Sequence, residues 1–351
     1  MRADLPSSLP LICPACRARS ERGHELHTLS VEKVLRARGD EIDEGILRCD
    51  NGGCHRRYPI LDGIPLIVPQ LERYLASELP LVIEGDLSPE VAALLALSGP
   101  DDAPYTRLLE HLSIYLDAHW GDRAQPPPDL PAGAPAFGMQ SLVEHLRAAP
   151  TAAPTGRTVE LGCSVGRGLA ELARSSSLVV GIDLHFGALR RARRLLAGEP
   201  LRYGRRVSGR HYAPVATSAG ELATDRVALI CADALDPPLV PNAFSRVAAL
   251  NLVDSVSSPT RLLSVLDGLC APAGELLLAS PYAWQSGIVA DEHRPDTDDP
   301  AAWFARRLSE GTDLEAPYSL VDEAELTWWL RRDARSGHAY AVHWLRARKS
   351  G

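Results

Sequence analysis

The sequence predicts an α/β fold: a doubly wound, mostly parallel sheet in the C-terminal half, preceded by a small metal-binding domain. Three observations support this prediction. Strand-like and helix-like segments alternate from residue 157 onward, glycines follow the first of these strands, and two cysteine pairs stand near the N-terminus. The chain has 351 residues, 45% of them hydrophobic, which is enough for one full α/β domain and a smaller one.

Composition excludes several classes of protein. The formal net charge is −8, so no overall basic field attracts the chain to nucleic acid or anionic membranes. The first ten residues lack a signal-peptide pattern, and no apolar run approaches the roughly 18 residues of a membrane span. Seven cysteines, an odd number, do not suggest a secreted disulfide framework. We expect a soluble, cytoplasmic protein with no membrane partner.

Four of the cysteines form two close pairs at the N-terminus. Cys13 and Cys16 lie in LICPAC, and Cys49 and Cys54 lie in LRCDNGGCHRRYPI. Two thiolate pairs about thirty residues apart fit tetrahedral Zn²⁺, which would stabilise a segment too short to bury much apolar surface. The second pair has four intervening residues, so His55 is an alternative ligand to Cys54. Free buried cysteines without a metal are the other alternative.

The same motifs carry a resemblance. LICPAC together with CHRRYPILDGIPLIVP resembles the small zinc-ribbon domains of the Trm112 type, over roughly residues 9–69. We therefore assign residues 1–69 to a Trm112-like zinc-binding domain. The resemblance implies a structural zinc that takes no part in chemistry, and it leaves contact with a protein partner open.

Residues 70–150 predict interrupted helices. LERYLASELP, SPEVAALLALSG and YTRLLEHLSIYLDAHW carry apolar residues at helical spacing. The following DRAQPPPDLPAGAPAFG ends the helical pattern, because proline and glycine disfavour helix. We interpret this Pro-rich segment as either a linker or a lid over a site.

The domain at residues 151–351 begins with a glycine turn. In TVELGCSVGRGLAELAR, the order is Glu160, Gly162, Ser164, Gly166 and Gly168. Glycines between a strand and a helix let the backbone approach a ligand closely, although this motif is weak by itself.

Two further strand ends make the prediction of a ligand site at the glycine turn more specific. Asp183 closes LVVGID seventeen residues after Gly166, where a carboxylate can accept both ribose hydroxyl hydrogens of a nucleoside. Asp233 ends RVALICADAL, where the carboxylate or the adjacent N–H can bind an adenine edge. Glu160 favours a ligand with an ammonium group over a pyrophosphate. The alternative is that Asp183 and Asp233 only cap the following helices.

An acid, a glycine loop and two strand-end aspartates resemble the class I S-adenosylmethionine (SAM) methyltransferases. The resemblance implies a Rossmann-like seven-stranded sheet and SAM as cofactor. Ser164 departs from it, since the family often has glycine there. The implied cofactor-binding residues are Glu160, Gly162, Cys163, Gly166, Asp183, Leu184, Asp233, Ala234 and Asn251.

The residues at the ends of the next two strands are predicted to form the part of the site that binds the methyl acceptor. ALNLVDSV ends on Asn251 and Asp254, two polar residues that a core would normally exclude. The fifth strand, GELLLASPYAW, adds Tyr282 and Trp284. Because ligands bind at the carboxyl ends of the strands of such sheets, these four side chains should meet a methyl acceptor.

A closer resemblance concerns that acceptor. YLDAHWGD, VELGCSVGR, VVGID, ICADA, LNLVDSV, ASPYAW and ELTWWLRRDARSGHAYAVHWLRARK together resemble the methyltransferase domain of the ovothiol-synthase family, over about 113–349. The resemblance implies methyl transfer to an imidazole nitrogen of histidine or a histidine-derived thiol. The family's iron-dependent half is absent, and HWG replaces the usual HYG.

Candidate roles follow from imidazole chemistry. An acceptor for the N–H of the far nitrogen leaves the near nitrogen free to attack, and it stabilises the cation that forms. Asp254 is the first candidate for this role, with Asn251 and Tyr282 as alternatives. The substrate-binding candidates are Tyr115, His119, Trp120, Tyr282 and Trp284, the first three of which have a core or lid helix face as their alternative.

Two other functions stay open. ALRRARRLLAGEPLRYGRRVSGRH, residues 188–211, is rich in arginine and predicts contact with RNA or an acidic peptide as the methyl acceptor. Against this, the stretch begins on an amphipathic helix, holds few aromatic residues and belongs to an acidic chain. The third hypothesis is a catalytically inactive scaffold whose zinc domain binds a partner.

Overall fold

The computed structural model describes residues 1–18, 26–85, 87–100, 103–126, 135–148, 155–285 and 287–351. Its helices are α1 Leu5–Ser8, α2 Pro14–Arg17, α3 Leu71–Val82, α4 Pro89–Ser98, α5 Pro104–Trp120, α6 Gln140–Ala148, α7 Arg167–Ala173, α8 Phe186–Leu196, α9 Pro259–Leu269 and α10 Pro300–Glu310. Its strands are β1 Leu29–Arg38, β2 Glu41–Cys49, β3 Arg57–Leu61, β4 Ile64–Pro65, β5 Thr155–Leu161, β6 Ser176–Asp183, β7 Leu201–Ser208, β8 His211–Thr217, β9 Val227–Cys231, β10 Phe244–Leu250, β11 Cys270–Ser280, β12 Tyr318–Arg331 and β13 Gly337–Lys349.

A seven-stranded sheet forms the body of the molecule, in the order β12-β13-β11-β10-β5-β6-β9. Strands β9, β6, β5, β10 and β11 run parallel, β13 is antiparallel to β11, and β12 is antiparallel to β13. The apolar runs of the central strands are buried, as parallel strands covered on both faces require. The predicted doubly wound fold is confirmed.

The sheet also fixes where a ligand can bind. From β5 the chain proceeds outward through β6 to β9, and it then returns to β10 on the other side of β5. Such a reversal opens a crevice at the carboxyl ends of the strands. Glu160, Asp183 and Asn251 lie at these ends or next to them.

The N-terminal segment forms a four-stranded antiparallel sheet, β1-β2-β3-β4, which is attached to the edge of the large sheet. Leu66 forms a parallel bridge with Cys231 of the edge strand β9, and the Ile67 N–H donates to the Cys231 carbonyl at 2.8 Å. Arg17 reaches across to Asp236 at 2.5 Å. The small sheet is therefore joined by backbone and ionic contacts to the strand that leads to Asp233.

Helices α3, α4 and α5 confirm the predicted helical segments. The Pro-rich stretch beyond α5 was expected to be a linker or lid, but its residues 127–134 lie outside the described residues. Over the ranges that the structure describes, no helix combines the length and apolar character needed to cross a membrane.

The arginine-dense stretch spans α8 and the β7–β8 hairpin, and its arginines form hydrogen bonds or ion pairs with other residues of the same chain. Arg190 is buried and donates to Asp62 and to the carbonyls of α3 and its C-terminal end. Arg205, also buried, pairs with Asp117. Further pairs are Arg193 with Asp43, Arg194 with Glu199, Arg202 with Glu90 and Arg206 with Glu110.

Candidate active site

The glycine turn after β5 is held by its neighbours in a conformation that needs glycine. Gly162 and Gly166 have φ of 77° and 84°, the left-handed region that side chains disfavour. A Cβ at Gly162 would lie 2.7 Å from the Leu252 side chain, so the turn is also tightly packed. The Trp120 indole N–H donates to the Val165 carbonyl at 2.8 Å and fixes the far side of the turn.

Glu160 occupies the base of this turn. Its side chain is 2% exposed, and its Oε2 has no hydrogen-bond partner. Burial, with a smaller contribution from the nearby Asp183, holds the pKa of this carboxyl well above its ordinary value. A Cβ at Gly168 would overlap the carboxylate, so glycine at 168 makes room for it. The group is buried, unpaired and suited to receive a cation.

Asp183 and Asp233 lie at the ends of neighbouring strands, and both already accept backbone hydrogen bonds. Asp183 accepts the Ser164 N–H at 2.8 Å and the His185 N–H at 2.7 Å, which ties its carboxylate to the glycine turn. Asp233 accepts the Leu235 N–H at 2.8 Å. Neither aspartate caps a helix as the alternative required, since the N-cap of α8 is His185 and the described residues directly after Asp233 form no helix, so each carboxylate keeps lone pairs for a ligand.

The residues that follow Asp183 and Asp233 differ in exposure. Leu184 is 43% exposed beside the crevice, and its carbonyl accepts the Tyr74 hydroxyl at 2.8 Å. Ala234 and Cys163 are buried. Leu184 therefore offers an apolar surface next to Asp183, while Ala234 and Cys163 contribute chiefly backbone.

A cavity of about 170 Å³ opens between the strand ends and α5. Its charged lining residues are Glu160 and Asp254, both acidic, and no Lys or Arg lines it within the described ranges. The complete lining is Tyr115, His119, Met139, Glu160, Gly162, Ser164, Leu250, Asn251, Asp254, Ser255, Pro281, Ala283, Gln285, Trp328, Leu330 and Tyr340.

Unpaired buried polar atoms are concentrated around this cavity. They are His119 Nδ1, Glu160 Oε2, Ser164 Oγ and both amide atoms of Asn251. Ser164 and Asn251 also have positive φ, 48° and 58°, a strained conformation that is typical of functional sites. Because buried polar groups in native proteins are nearly always satisfied, these atoms indicate that a polar ligand completes the cavity.

Helix α5 supplies an aromatic side to the cavity. His119 meets the ring of Trp328 edge to face at 5.8 Å, and Tyr115 stacks on His111 at 4.3 Å. Burial, with the nearby Arg167 charge, lowers the pKa of His119 to about 3, so the ring is neutral. Burial raises the pKa of Tyr115 to about 12, which keeps its hydroxyl protonated.

Asp254 lies in a single 3₁₀ turn, Val253–Ser255, directly on the cavity wall. It is 5% exposed, and its Oδ2 accepts the Ala283 N–H at 3.1 Å. Burial raises the pKa of this carboxyl. Two strand ends therefore hold the carboxylate against the cavity.

Three predicted acceptor residues lie beside the cavity rather than in its lining. Tyr282 has a φ of 52°, stacks on Phe304 and shares a 2.9 Å hydrogen bond with His343. Trp284 packs against Tyr282 at 5.8 Å. Trp120 is completely buried with its indole N–H bound to Val165, so it supports the glycine turn and cannot reach an acceptor.

The structure adds lining residues that the sequence analysis missed. Trp328 and Tyr340 face each other across the β12–β13 hairpin, and Gln285 and Ser255 are joined by a 2.7 Å hydrogen bond. Aromatic residues in the quoted C-terminal block were the only signal for the first pair. The packing of this hairpin against α5, which is distant in sequence and therefore not revealed by a local pattern, brings them to the cavity.

The four N-terminal cysteines converge in the small sheet. The sulfurs of Cys13, Cys16, Cys49 and Cys54 all lie within 4.8 Å of one another. The Cys13–Cys54 and Cys16–Cys49 sulfur separations are 3.9 and 3.6 Å, close to the roughly 3.8 Å expected for tetrahedral Zn–S bonds of about 2.3 Å. His55 is not part of the group.

Comparisons with known proteins agree with this fold. Residues 159–278 match the family model of a methyltransferase domain. No curated protein matches the sequence.

Among solved structures, the chain resembles one from the complex between the Haloferax volcanii Trm112 methyltransferase activator and a methyltransferase. The two chains are 12% identical, the match covers 61% of this chain and 91% of that chain, and the TM-score is 0.42. It also resembles the N-methyltransferase NodS from Bradyrhizobium japonicum, with 14% identity, 60% and 93% coverage and a TM-score of 0.38. A third is the magnesium protoporphyrin IX methyltransferase from Synechocystis, with 15% identity, 60% and 76% coverage and a TM-score of 0.37. At these scores none of the three informs on substrate or partner.

Proposed function

The chain carries a SAM-dependent methyltransferase domain, and we propose that it methylates an imidazole nitrogen of histidine or of a histidine-derived small molecule such as its thiol. The observation that carries the proposal is the cavity at Asp254. It is small, its charged lining residues among those the structure describes are two carboxylates, and it holds the unpaired polar atoms described above. The proposal also draws on the sequence resemblance of residues 113–349 to the ovothiol-synthase methyltransferase domain.

Cavity size favours a small reacting group. About 170 Å³ is below the roughly 300–1,000 Å³ of pockets for drug-sized ligands. Because Glu160 and Gly162 of the cofactor side line the same cavity, SAM would fill part of it, and the space left beside Asp254 suits a ring as small as imidazole. His119 is neutral, so it can exchange a hydrogen bond with the ring without adding a positive charge.

SAM, when bound, supplies an electrophilic methyl group on its sulfonium. The residues around the cavity then need only hold the nucleophile in line, because a neutral imidazole already has a free lone pair on one nitrogen. Asp254 accepts the N–H of the other nitrogen. As the new N–C bond forms, positive charge develops on the ring, and the adjacent carboxylate stabilises it. The Asn251 amide can donate or accept beside the reacting atoms.

Cofactor binding is assigned to the strand ends. Glu160 would receive the ammonium group, Asp183 the ribose hydroxyls and Asp233 an adenine edge, with Leu184 against the face of the base. Gly162, Cys163, Gly166 and Ala234 would contribute backbone. The unpaired Oε2 of Glu160 supports the first assignment, since a buried carboxylate without a partner is costly.

We also infer that Cys13, Cys16, Cys49 and Cys54 hold a structural Zn²⁺. The sulfur separations support a tetrahedral ion, and Cys54 fits the site better than His55 because the four sulfurs alone are grouped. None of these cysteines lines the acceptor cavity, so we assign the site no role in methyl transfer.

The macromolecular alternative loses its main support. Seven of the eight arginines of residues 188–211 that suggested RNA pair with acidic side chains of this chain, and the eighth, Arg210, donates to the Gly99 carbonyl. The acceptor cavity has no lining cation that could pair with a phosphate, within the ranges described. A small-molecule acceptor is the proposal that remains.

The proposal is tested by incubating the full chain with methyl-labelled SAM and a panel of histidine, thiolated histidine, histidine-containing peptides and bulk RNA. Mass spectrometry then identifies which species gains the label. Label on a small imidazole is the expected result. Label confined to peptide or RNA would overturn the proposal.

A further inference from the structure

The acceptor cavity has an unusual charge balance for a site that handles amino-acid derivatives. Its two charged lining groups, Glu160 and Asp254, are both carboxylates. Neither is among the residues that form ion pairs with Lys or Arg in the described ranges, whereas the buried carboxylates Glu171 and Glu275 are each paired with arginine. Two unpaired acids in one cavity leave room for positive charge.

The arginine that acts on the lining residue His119 is already occupied. Arg167 acts on His119 electrostatically, but it is fully buried and is bound by Asp122, Glu171 and the His119 carbonyl. Apart from the sulfonium of SAM, an anionic group on the acceptor would therefore meet the Asp254 carboxylate with no lining cation in the described ranges.

The remaining wall is suited to a cation. Tyr115, Trp328 and Tyr340 present aromatic rings to the cavity, and such rings attract ammonium groups through their electron-rich faces. Glu160 is assigned to the ammonium of SAM, which leaves Asp254 and these rings on the acceptor's side. His119 is a hydrogen-bonding group there and not a competing charge.

We propose that the acceptor is an imidazole that carries a cationic amine and lacks a carboxylate close to the ring, so that histamine-like molecules are preferred over anionic imidazoles. This inference rests on the proposed function and narrows it: among histidine and its derivatives, it favours those that keep the amine and lack the carboxylate. Asp254 and the aromatic side chains would attract the positive charge, and the Asp254 carboxylate would repel an anion.

The test uses four matched imidazoles: histamine, histidine, 4-methylimidazole and imidazole-4-propionate, which are cationic, zwitterionic, neutral and anionic. Methyl transfer by the full chain at saturating SAM gives kcat/KM for each, and calorimetry gives binding to the S-adenosylhomocysteine complex. The expected result is a kcat/KM for histamine roughly tenfold or more above that for the propionate. Equal values, or a preference for the propionate, would overturn the inference while leaving the proposed function intact.

The calorimetric binding measurement distinguishes failure of the charge preference from failure of the proposed function. If histamine binds more tightly than the propionate but no imidazole is methylated, the charge preference stands and the proposed function fails. If neither ligand binds or reacts, both are overturned.

A matched pair of variants at the cavity wall tests the electrostatic origin. Gln285 is an exposed lining residue. Gln285→Lys should raise the propionate-to-histamine ratio of kcat/KM, and Gln285→Glu should lower it. If both variants changed this ratio in the same direction relative to the unaltered chain, a charge-based preference would be contradicted.

Discussion

Replacing Glu160 by glutamine is predicted to weaken SAM binding without damaging the fold. The substitution keeps size and shape but removes the charge of a side chain that is 2% exposed and has an unpaired Oε2. A hydrogen bond to a charged group contributes about 1.5–3 kcal/mol, so the Kd for SAM should rise roughly ten- to hundredfold. Stability should not fall, because the removed carboxylate has no cation to lose.

The same group predicts how SAM affinity depends on pH. Because the pKa of Glu160 is raised in the free protein, its carboxyl binds a proton at higher pH than an ordinary glutamate. An ammonium ligand favours the ionised form, so binding releases a proton below that pKa, and affinity increases as the pH rises towards it. Asp183, whose pKa is also raised by burial, contributes in the same direction.

Isothermal titration calorimetry between pH 5 and 7.5 is the suitable assay, with two buffers of different ionisation enthalpy to count the protons released. Glu275→Gln is a suitable control, since Glu275 is also buried but pairs with Arg246 and Arg346 at the opposite ends of the strands. The control should lower thermal stability and leave the Kd for SAM unchanged. An unchanged Kd and pH dependence in Glu160→Gln would refute the reasoning.

Four further variants test separate parts of the site. Asp183→Ala should weaken SAM binding by roughly tenfold or more through loss of a charged acceptor, and an unchanged calorimetric affinity would remove it from the cofactor site. Trp120→Phe leaves the Val165 carbonyl unpaired at a cost of about 1–3 kcal/mol, so the Kd for SAM should rise while the KM for the acceptor holds; a change in acceptor KM alone would contradict this. Asp254→Asn should keep SAM affinity but slow transfer by roughly a hundredfold, and normal turnover would make Asp254 structural. Cys13→Ser should lower zinc content and melting temperature, whereas full metal occupancy in this variant would exclude Cys13 as a ligand.

Local pattern was sufficient to predict much of the fold. Glycine spacing and the apolar runs that end in Glu160, Asp183 and Asn251 predicted parallel strands with polar ends, because strands buried on both faces leave a readable pattern. Helical spacing likewise predicted α3, α4 and α5. The cysteine pairs predicted a cluster that the structure brings together.

Features that depend on distant contacts were not predictable in this way. Trp328 and Tyr340 reach the cavity only because β12 and β13 pair and pack against α5. Trp120 was predicted to bind the substrate, but its burial against Arg167 and Val165 makes it a support for the turn, in line with the core alternative. The arginines of residues 188–211 resembled a binding surface because their acidic partners lie far away in sequence, as Asp62 does for Arg190.

The central claim is a bond between the transferred methyl carbon and an imidazole nitrogen. It is tested most directly by NMR of a reaction of the full chain with [methyl-¹³C]SAM and ring-¹⁵N-labelled histidine, thiolated histidine and histamine. The proposed function predicts a one-bond ¹³C–¹⁵N coupling between the new methyl group and one ring nitrogen, formed much more slowly by Asp254→Asn. A methyl signal without that coupling, or no transfer to any of the three imidazoles, would contradict it.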